Sequence, residues 1–172
     1  MVTSLIYSSH CRLPSENKHF EKGMEAIRAT ASRQNDVFDI TGFMFFFDQK
    51  FVQIIEGDFD NVANLYKCIR RDPRHEGCRI IEFCEIPKRC FSPHMLAHSI
   101  EFIRDNVAEL QVKMRFLNKF IGGSGRDSIK IRDLLIAIAT ELQKKSHFPK
   151  GNKASFRLDF TAGIPVAGVG HA

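Results

Sequence analysis

Residues 40–57 read ITGFMFFFDQKFVQIIEG. Ile40 to Phe47 is apolar at nearly every position, so a strand here needs cover on both faces. Asp48-Gln49-Lys50 has the length and polarity of a hairpin connection. Phe51 to Glu56 then predicts a partner strand, antiparallel to the one before it. Gly57-Asp58 ends that strand, and Asp58 or Asp60 can cap a following helix. One residue does not belong in an apolar ladder. Gln53 shares a face with Phe51 and Ile55, and a buried glutamine left without partners costs about 1–3 kcal/mol.

The pattern extends in both directions. Upstream, Val2 to Ser9 (VTSLIYSS) predicts a strand with Thr3, Leu5 and Tyr7 on one face and Ser4 and Ile6 on the other. A polar loop, LPSENKH, follows. Phe20, Met24, Ile27 and Ala31 fall on one helical stripe, which should end near Gln34-Asn35. Downstream, Val62, Leu65, Tyr66 and Ile69 form a second stripe, stopped by Asp72-Pro73. Arg79 to Ile86 predicts a fourth strand, Pro87-Lys88 a turn, and a fifth strand is expected within Cys90 to Phe102, with Pro93 limiting its ladder. The order βαββαββ predicts a ferredoxin-like α/β (α+β) sandwich with two helices on one sheet face. For the other face the sequence offers Val107, Leu110, Met114, Leu117 and Ile121, a break at Gly122 to Gly125, then Ile131, Leu134, Leu135, Ile138 and Leu142. This predicts a helical hairpin that packs on the open face or against a second subunit. The expected organisation is a domain over 1–102, the hairpin over 103–147 and a flexible tail over 148–172.

The chain of 172 residues is long enough to bury a core without metal or disulfide support. Its 44% hydrophobic and 26% charged residues exclude a mostly disordered chain or a fibre. The longest apolar runs, Phe43 to Phe47 and Leu134 to Ala139, are too short to span a bilayer. The N-terminus lacks a basic region ahead of a long apolar stretch, so no secretory signal is expected. Five cysteines without a CxxC pair argue against a disulfide framework or a zinc ribbon. Reduced thiols and a cytoplasmic location follow as expectations. The formal charge of +5 comes from basic residues spread along the chain, which read mainly as a solvated surface. Tryptophan is absent and only two tyrosines are present.

Tyr7 and Gln53 could meet between sheet and helices if their strands are neighbours; the plain reading is a satisfied core hydrogen bond. Asn35 either caps the first helix or reaches inward. Asp72, Arg74 and His75 form either a solvated turn or a clamp on hydroxyls or phosphates. Cys90, His94 and His98 would converge on a metal only if they lay on a helix, and a strand is expected there. His10-Cys11 reads as a loop pair rather than a nucleophile with its base. No Ser-His-Asp order and no paired carboxylates stand out.

Taken in order, these residues resemble one family. A strand with Tyr7, a helix ending in Gln34-Asn35, Ile40-Thr41-Gly42, Phe51-x-Gln53-x-x-Glu56-Gly57 and Asp72-Pro73-Arg74-His75 are similar to the BLUF domains, blue-light sensors using flavin. The resemblance covers about residues 2 to 102 and implies a function: a blue-light photoreceptor, not an enzyme. It implies that Tyr7 is the photochemical tyrosine and Gln53 the switching glutamine between it and the flavin. It implies that Asn35 and Gln34 contact the flavin ring, that Asp72, Arg74 and His75 lie near the ribityl chain and phosphates, and that Phe51, Ile40 and Ile27 are apolar walls. The implied cofactor is FAD, with FMN possible, its ring lying between the two helices and the sheet. The family often has a tryptophan and a methionine on the fifth strand; His94 and Leu96 stand at those positions here, with Met95 between them.

A side-chain amide suits such a switch, because its donor and acceptor ends can exchange by rotation or tautomerisation. Light would change the hydrogen bonds around an otherwise unaltered flavin and shift its absorption to the red. With no catalytic effector domain following, the expected output is a contact with a downstream protein or a change in a homo-oligomer, without nucleic acid or membrane. Two other readings remain open at this level. One is an RNA-recognition module in which Phe43, Phe45 and Phe47 stack bases. The other is a flavin-binding protein insensitive to light.

Overall fold

The structure is a computed structural model that describes residues 1–14, 17–47, 49–91, 117, 119, 121 and 128–145. Strand β1 (Val2–Cys11) is followed by helix α1 (Asn17–Val37), the hairpin β2 (Thr41–Phe47) and β3 (Lys50–Gly57), helix α2 (Phe59–Arg71), strand β4 (His75–Ile86) and helix α3 (Ser128–Lys145). The strands form one antiparallel sheet in the order β2-β3-β1-β4. This is the ferredoxin-like arrangement, in which each helix carries the chain past one intervening strand. The mixed α/β fold expected from the periodicity is the one observed.

Strand parity sorts the core into two layers. Leu5, Tyr7 and Ile55 face α2 and pack with Ile40, Val62, Leu65 and Tyr66. Met44 and Phe51 face α1 and pack with Met24 and Ile27. The alternate residues Ile6, Phe43, Phe45, Val52 and Ile54 form a third cluster with Phe91, Leu117, Ile121, Ile131, Leu135, Ile138 and Ala139. The second sheet face is therefore covered by C-terminal residues. Phe43 and Phe45 are buried there and are not available to stack on bases, contrary to what the RNA reading requires. Arg132 of α3 ties the cover to β4 through an ion pair with Glu82, and Arg79 of β4 donates to the Ile121 carbonyl at 2.5 Å.

Several boundaries differ from expectation. Strand β1 runs on to Cys11, so His10 and Cys11 belong to the ladder and not to a loop. Helix α1 continues to Val37, and Asp39 at φ 48° turns the chain back into β2. Strand β4 starts at His75, four residues before the expected Arg79, because Gly77 at φ 60° absorbs a bulge instead of ending the strand. Asp58 caps α2, its carboxylate accepting from the Asp60 amide at 3.0 Å. The chain beyond β4 is held to the β2–β3 end of the sheet. The buried Glu56 carboxylate accepts from the Cys90 and Phe91 amides at 2.9 and 3.2 Å. Arg89 reaches the Asp39 carboxylate at 2.7 Å. The expected fifth strand past Phe91, including His94, Met95, Leu96 and His98, lies outside the described residues. So do most of the first hairpin helix, the glycine break and the tail.

Candidate functional site

A cleft of about 610 Å³, counted to its open mouth, lies between α1, α2 and the sheet. Its floor is the pairing of β1 with β3, in which Tyr7 stands directly opposite Gln53. The Tyr7 hydroxyl donates to Gln53 Oε1 at 2.6 Å, with both residues buried. Burial raises the phenol pKa well above its ordinary value, and Cys78, Tyr66 and Asp72 add to the shift. Tyr7 is thus a neutral donor. Its O–H occupies the acceptor end of Gln53 and leaves the Nε2 donor end for another partner. Tyr66 packs against the Tyr7 ring at 5.4 Å.

Asn35 lies in the last turn of α1 and is 4% exposed, yet neither its Nδ2 nor its Oδ1 has a hydrogen-bond partner. It lines the cleft and caps nothing. Two unpaired polar atoms at one buried site are costly unless something in the cleft answers them. A ring edge carrying both a carbonyl and an N–H would do so, and a flavin has such an edge. The residues present therefore fit the group that the sequence resemblance implies.

Asp72 and Arg74 form an ion pair within one turn, with Arg74 Nε at 2.8 Å from Asp72 Oδ1. The guanidinium holds the Asp72 carboxyl below its usual range. His75 Nδ1 lies 2.8 Å from Ser9 Oγ, and its ring packs tilted against that of Phe51, centroids 4.5 Å apart. Of the ten residues expected at the site, eight line the cleft: Tyr7, Ile27, Gln34, Asn35, Gln53, Asp72, Arg74 and His75. Ile40 and Phe51 do not. Ile40 packs into the α2-side core, and Phe51 into the α1-side core with Met24, Ile27 and Met44. The cleft also has Thr30, Ala31, Met44, Leu65, Cys68 and Ile69 in its walls. Met44 was accessible to sequence reasoning: a hairpin that pairs Phe47 with Lys50 must also pair Met44 with Gln53.

Burial depresses the His75 pKa from 6.5 to about 4, despite the opposing pull of Asp72; Arg74 lowers it further. Native His75 therefore binds fewer protons than the unfolded chain between those two values. Its contribution to stability is lost as pH falls from about 6.5 toward 4. The ceiling on that loss is about 3 kcal/mol. His75→Gln keeps a polar partner for Ser9 but cannot titrate. Urea unfolding at neutral pH and near pH 4.5 should show the wild type losing roughly 2 kcal/mol more than the variant. Parallel profiles for the two proteins would disprove the assignment.

The family model described as "BLUF: Sensors of blue-light using FAD" matches residues 2–97, over half of the chain. The chain belongs to the BLUF family. BLUF domains are flavin-based blue-light sensors, and the chain's βαββαβ core and its cleft lie within the matched segment. Among relatives, a photoactivated adenylate cyclase subunit beta of Euglena longa is 34% identical over 90 residues, which cover 52% of this chain and 10% of that protein. The blue light- and temperature-regulated antirepressor BluF of Escherichia coli (strain K12) is 37% identical over 75 residues, covering 44% of this chain and 18% of that one. This BLUF chain thus matches less than a fifth of either relative's length. Among solved structures, BlrB, a BLUF protein in its dark state, superposes with a TM-score of 0.57 at 26% identity, covering 81% of this chain and 96% of that one. The photo-activated state of BlsA has a TM-score of 0.63 at 20% identity, covering 81% and 95%, and supports the fold alone. No helix among the described residues is long and apolar enough to cross a membrane.

Proposed function

We propose that this chain is a blue-light photoreceptor that binds FAD non-covalently between α1 and α2 and signals through a rearrangement of Tyr7 and Gln53. The observation that carries the reading is the buried 2.6 Å hydrogen bond from Tyr7 to Gln53 at the floor of a cleft whose wall presents the unpartnered Asn35 amide. When bound, the flavin supplies absorption of blue light and, once excited, a one-electron oxidant.

The chain's own residues would do the rest. Asn35 and Gln34 would fix the ring edge, while Ile27, Met44, Leu65 and Ile69 exclude water around it. Asp72, Arg74 and His75 would lie along the side chain of the cofactor, as the turn they form opens on the same cleft. Tyr7 holds its proton at the hydroxyl oxygen and points it at Gln53 Oε1. That arrangement is suited to giving up an electron and a proton together. Gln53 can receive at Oε1 and donate at Nε2, so rotation would turn the other end to the phenol, and tautomerisation would make the oxygen end a donor in place. A carboxylate there would place charge in a low-dielectric pocket, and a leucine would carry no proton.

The route outward would begin on β3. Val52 and Ile54 flank Gln53 and project to the opposite sheet face, where they share a core with Ile131, Leu135 and Ile138 of α3. A change in how Gln53 sits can therefore bias the C-terminal cover, which would contact a downstream protein or a second copy of the chain. The purified protein should be yellow, and blue illumination should shift its flavin absorption reversibly to the red. A colourless preparation that refuses added FAD and FMN would overturn the reading, and a yellow one without the shift would reduce it to flavin binding. Chromatography of the released pigment decides between FAD and FMN.

A further inference from the structure

Glu56 follows Val52 and Ile54 on the β3 face turned toward α3, and it is fully buried there. A carboxylate in such a place needs partners. One oxygen, Oε2, has three: it accepts from the Cys90 amide at 2.9 Å, the Phe91 amide at 3.2 Å and the Thr41 hydroxyl at 3.4 Å. The other, Oε1, has none.

Two hydroxyls flank this carboxylate in the sheet. Thr41 of β2 and Ser4 of β1 each stand directly opposite Glu56, one on either side. Residues so paired have Cβ atoms about 4.5–5.5 Å apart, close enough for their side chains to meet. Thr41 is engaged. Ser4 is fully buried, and its Oγ has no partner. Facing residues thus hold a spare donor and a spare acceptor, and a turn of the carboxylate toward β1 joins them. The chain leaving β4 is on the opposite, Thr41 side, where Arg89 donates to the Thr41 hydroxyl at 3.2 Å and to the Asp39 carbonyl at 2.8 Å. The same turn therefore slackens the hold on Cys90 and Phe91.

What Glu56 holds leads outward. Phe91 packs on Phe43 and shares a core with Leu135 and Ile138 of α3. Gln53 lies three residues back on β3. Apolar contacts tolerate a small slide, whereas hydrogen bonds weaken steeply as they bend, so a movement of β3 is felt sharply at Glu56.

We propose that Glu56 is the positioning residue between Gln53 and the C-terminal cover: its carboxylate seats residues 89–91 in the dark, and Ser4 is the partner it turns to when Gln53 rearranges. The inference rests on the photoreceptor reading and adds a polar route to the apolar one through Val52 and Ile54.

The test is amide hydrogen exchange at Cys90 and Phe91, followed by nuclear magnetic resonance on the full chain with its pigment, in the dark and under steady blue light. Wild type should exchange both amides about tenfold faster in the light, the change that loss of a charged hydrogen bond brings. Glu56→Gln keeps an acceptor but no charge; it should keep the red shift and raise the dark rates about tenfold. Ser4→Ala removes a buried unpaired hydroxyl, so its dark rates should match wild type while the rise in light falls below about twofold. Val62→Ala loosens the helix-side core away from the clamp and should keep the wild-type ratio of light to dark rates. A red shift in wild type without faster exchange at Cys90 and Phe91 overturns this proposal alone. So does a full light response in Ser4→Ala, or a dark rate in Glu56→Gln no faster than in Val62→Ala. A wild type without the red shift instead ends the photoreceptor reading, and the switching role with it. Ser4→Ala keeps the test decisive if Glu56→Gln fails to fold.

Discussion

Gln53→Leu is expected to keep the pigment and abolish the light-induced red shift, and Tyr7→Phe is expected to do the same. Each substitution preserves much of the volume and the apolar contacts of the buried position, so the cleft should survive. What disappears is the 2.6 Å hydrogen bond and with it a path for the proton. The two residues have different defects. Tyr7→Phe removes the donor and leaves Gln53 Oε1 without its partner, at a cost of about 1–3 kcal/mol. Gln53→Leu leaves the phenol unpaired and removes the group whose ends can exchange. Difference absorption spectra before and after blue illumination measure the effect. A normal shift in either variant would remove that residue from the mechanism. A variant that purifies colourless has failed earlier, and its affinity for added FAD then measures what the pair contributes to binding.

Gly42→Val should be the most destabilising single change in the sheet. Gly42 lies opposite Ile55 in the β2–β3 pairing. A Cβ at this position would come to 2.1 Å from the Ile54 carbonyl oxygen and 3.0 Å from Ile55 Cα. Both are backbone atoms of the neighbouring strand and cannot rotate aside, so the two strands must separate. The expected loss is about 3 kcal/mol or more, at the upper end for overpacking. In a domain of this size that is a fall in Tm of roughly 6–12 °C. The effect should also reach the cleft, because Met44, two residues on, pairs with Gln53. Gly57→Ala is the natural comparison. Its Cβ would meet the Asp39 carbonyl oxygen at 3.2 Å, a contact that small shifts can relieve, so a loss near 1 kcal/mol is expected. Thermal unfolding of both variants tests the contrast, and equal melting temperatures would refute it.

The departures from sequence-based expectation have specific causes. The fourth strand was expected over Arg79 to Ile86, but Gly77 occupies a left-handed bulge and β4 runs through it from His75. Asn35 could cap α1 or reach inward, and the local sequence does not choose; α1 continues two residues past it and its amide lines the cleft. Phe51 packs with Met24, Ile27 and Met44 on the α1 side of the sheet, its ring 4.5 Å from that of His75. In each case the decisive neighbour is distant in sequence.

Local periodicity determined the order of the elements and the face each residue takes. Period-two alternation was enough to put Leu5 and Tyr7 on one side of the sheet and Ile6 on the other, and to assign Gln53 and Ile55 to one side together. These preferences act over a few residues and need no knowledge of the rest of the chain. The meeting of Tyr7 with Gln53, 46 residues apart, depends on β1 pairing with β3 in one register; a slip of one residue would turn Gln53 to the other face. The unpartnered amide of Asn35, the neutral His75 and the bulge beside Arg79 likewise exist only once helices and strands have packed, because burial and register are properties of the assembled chain.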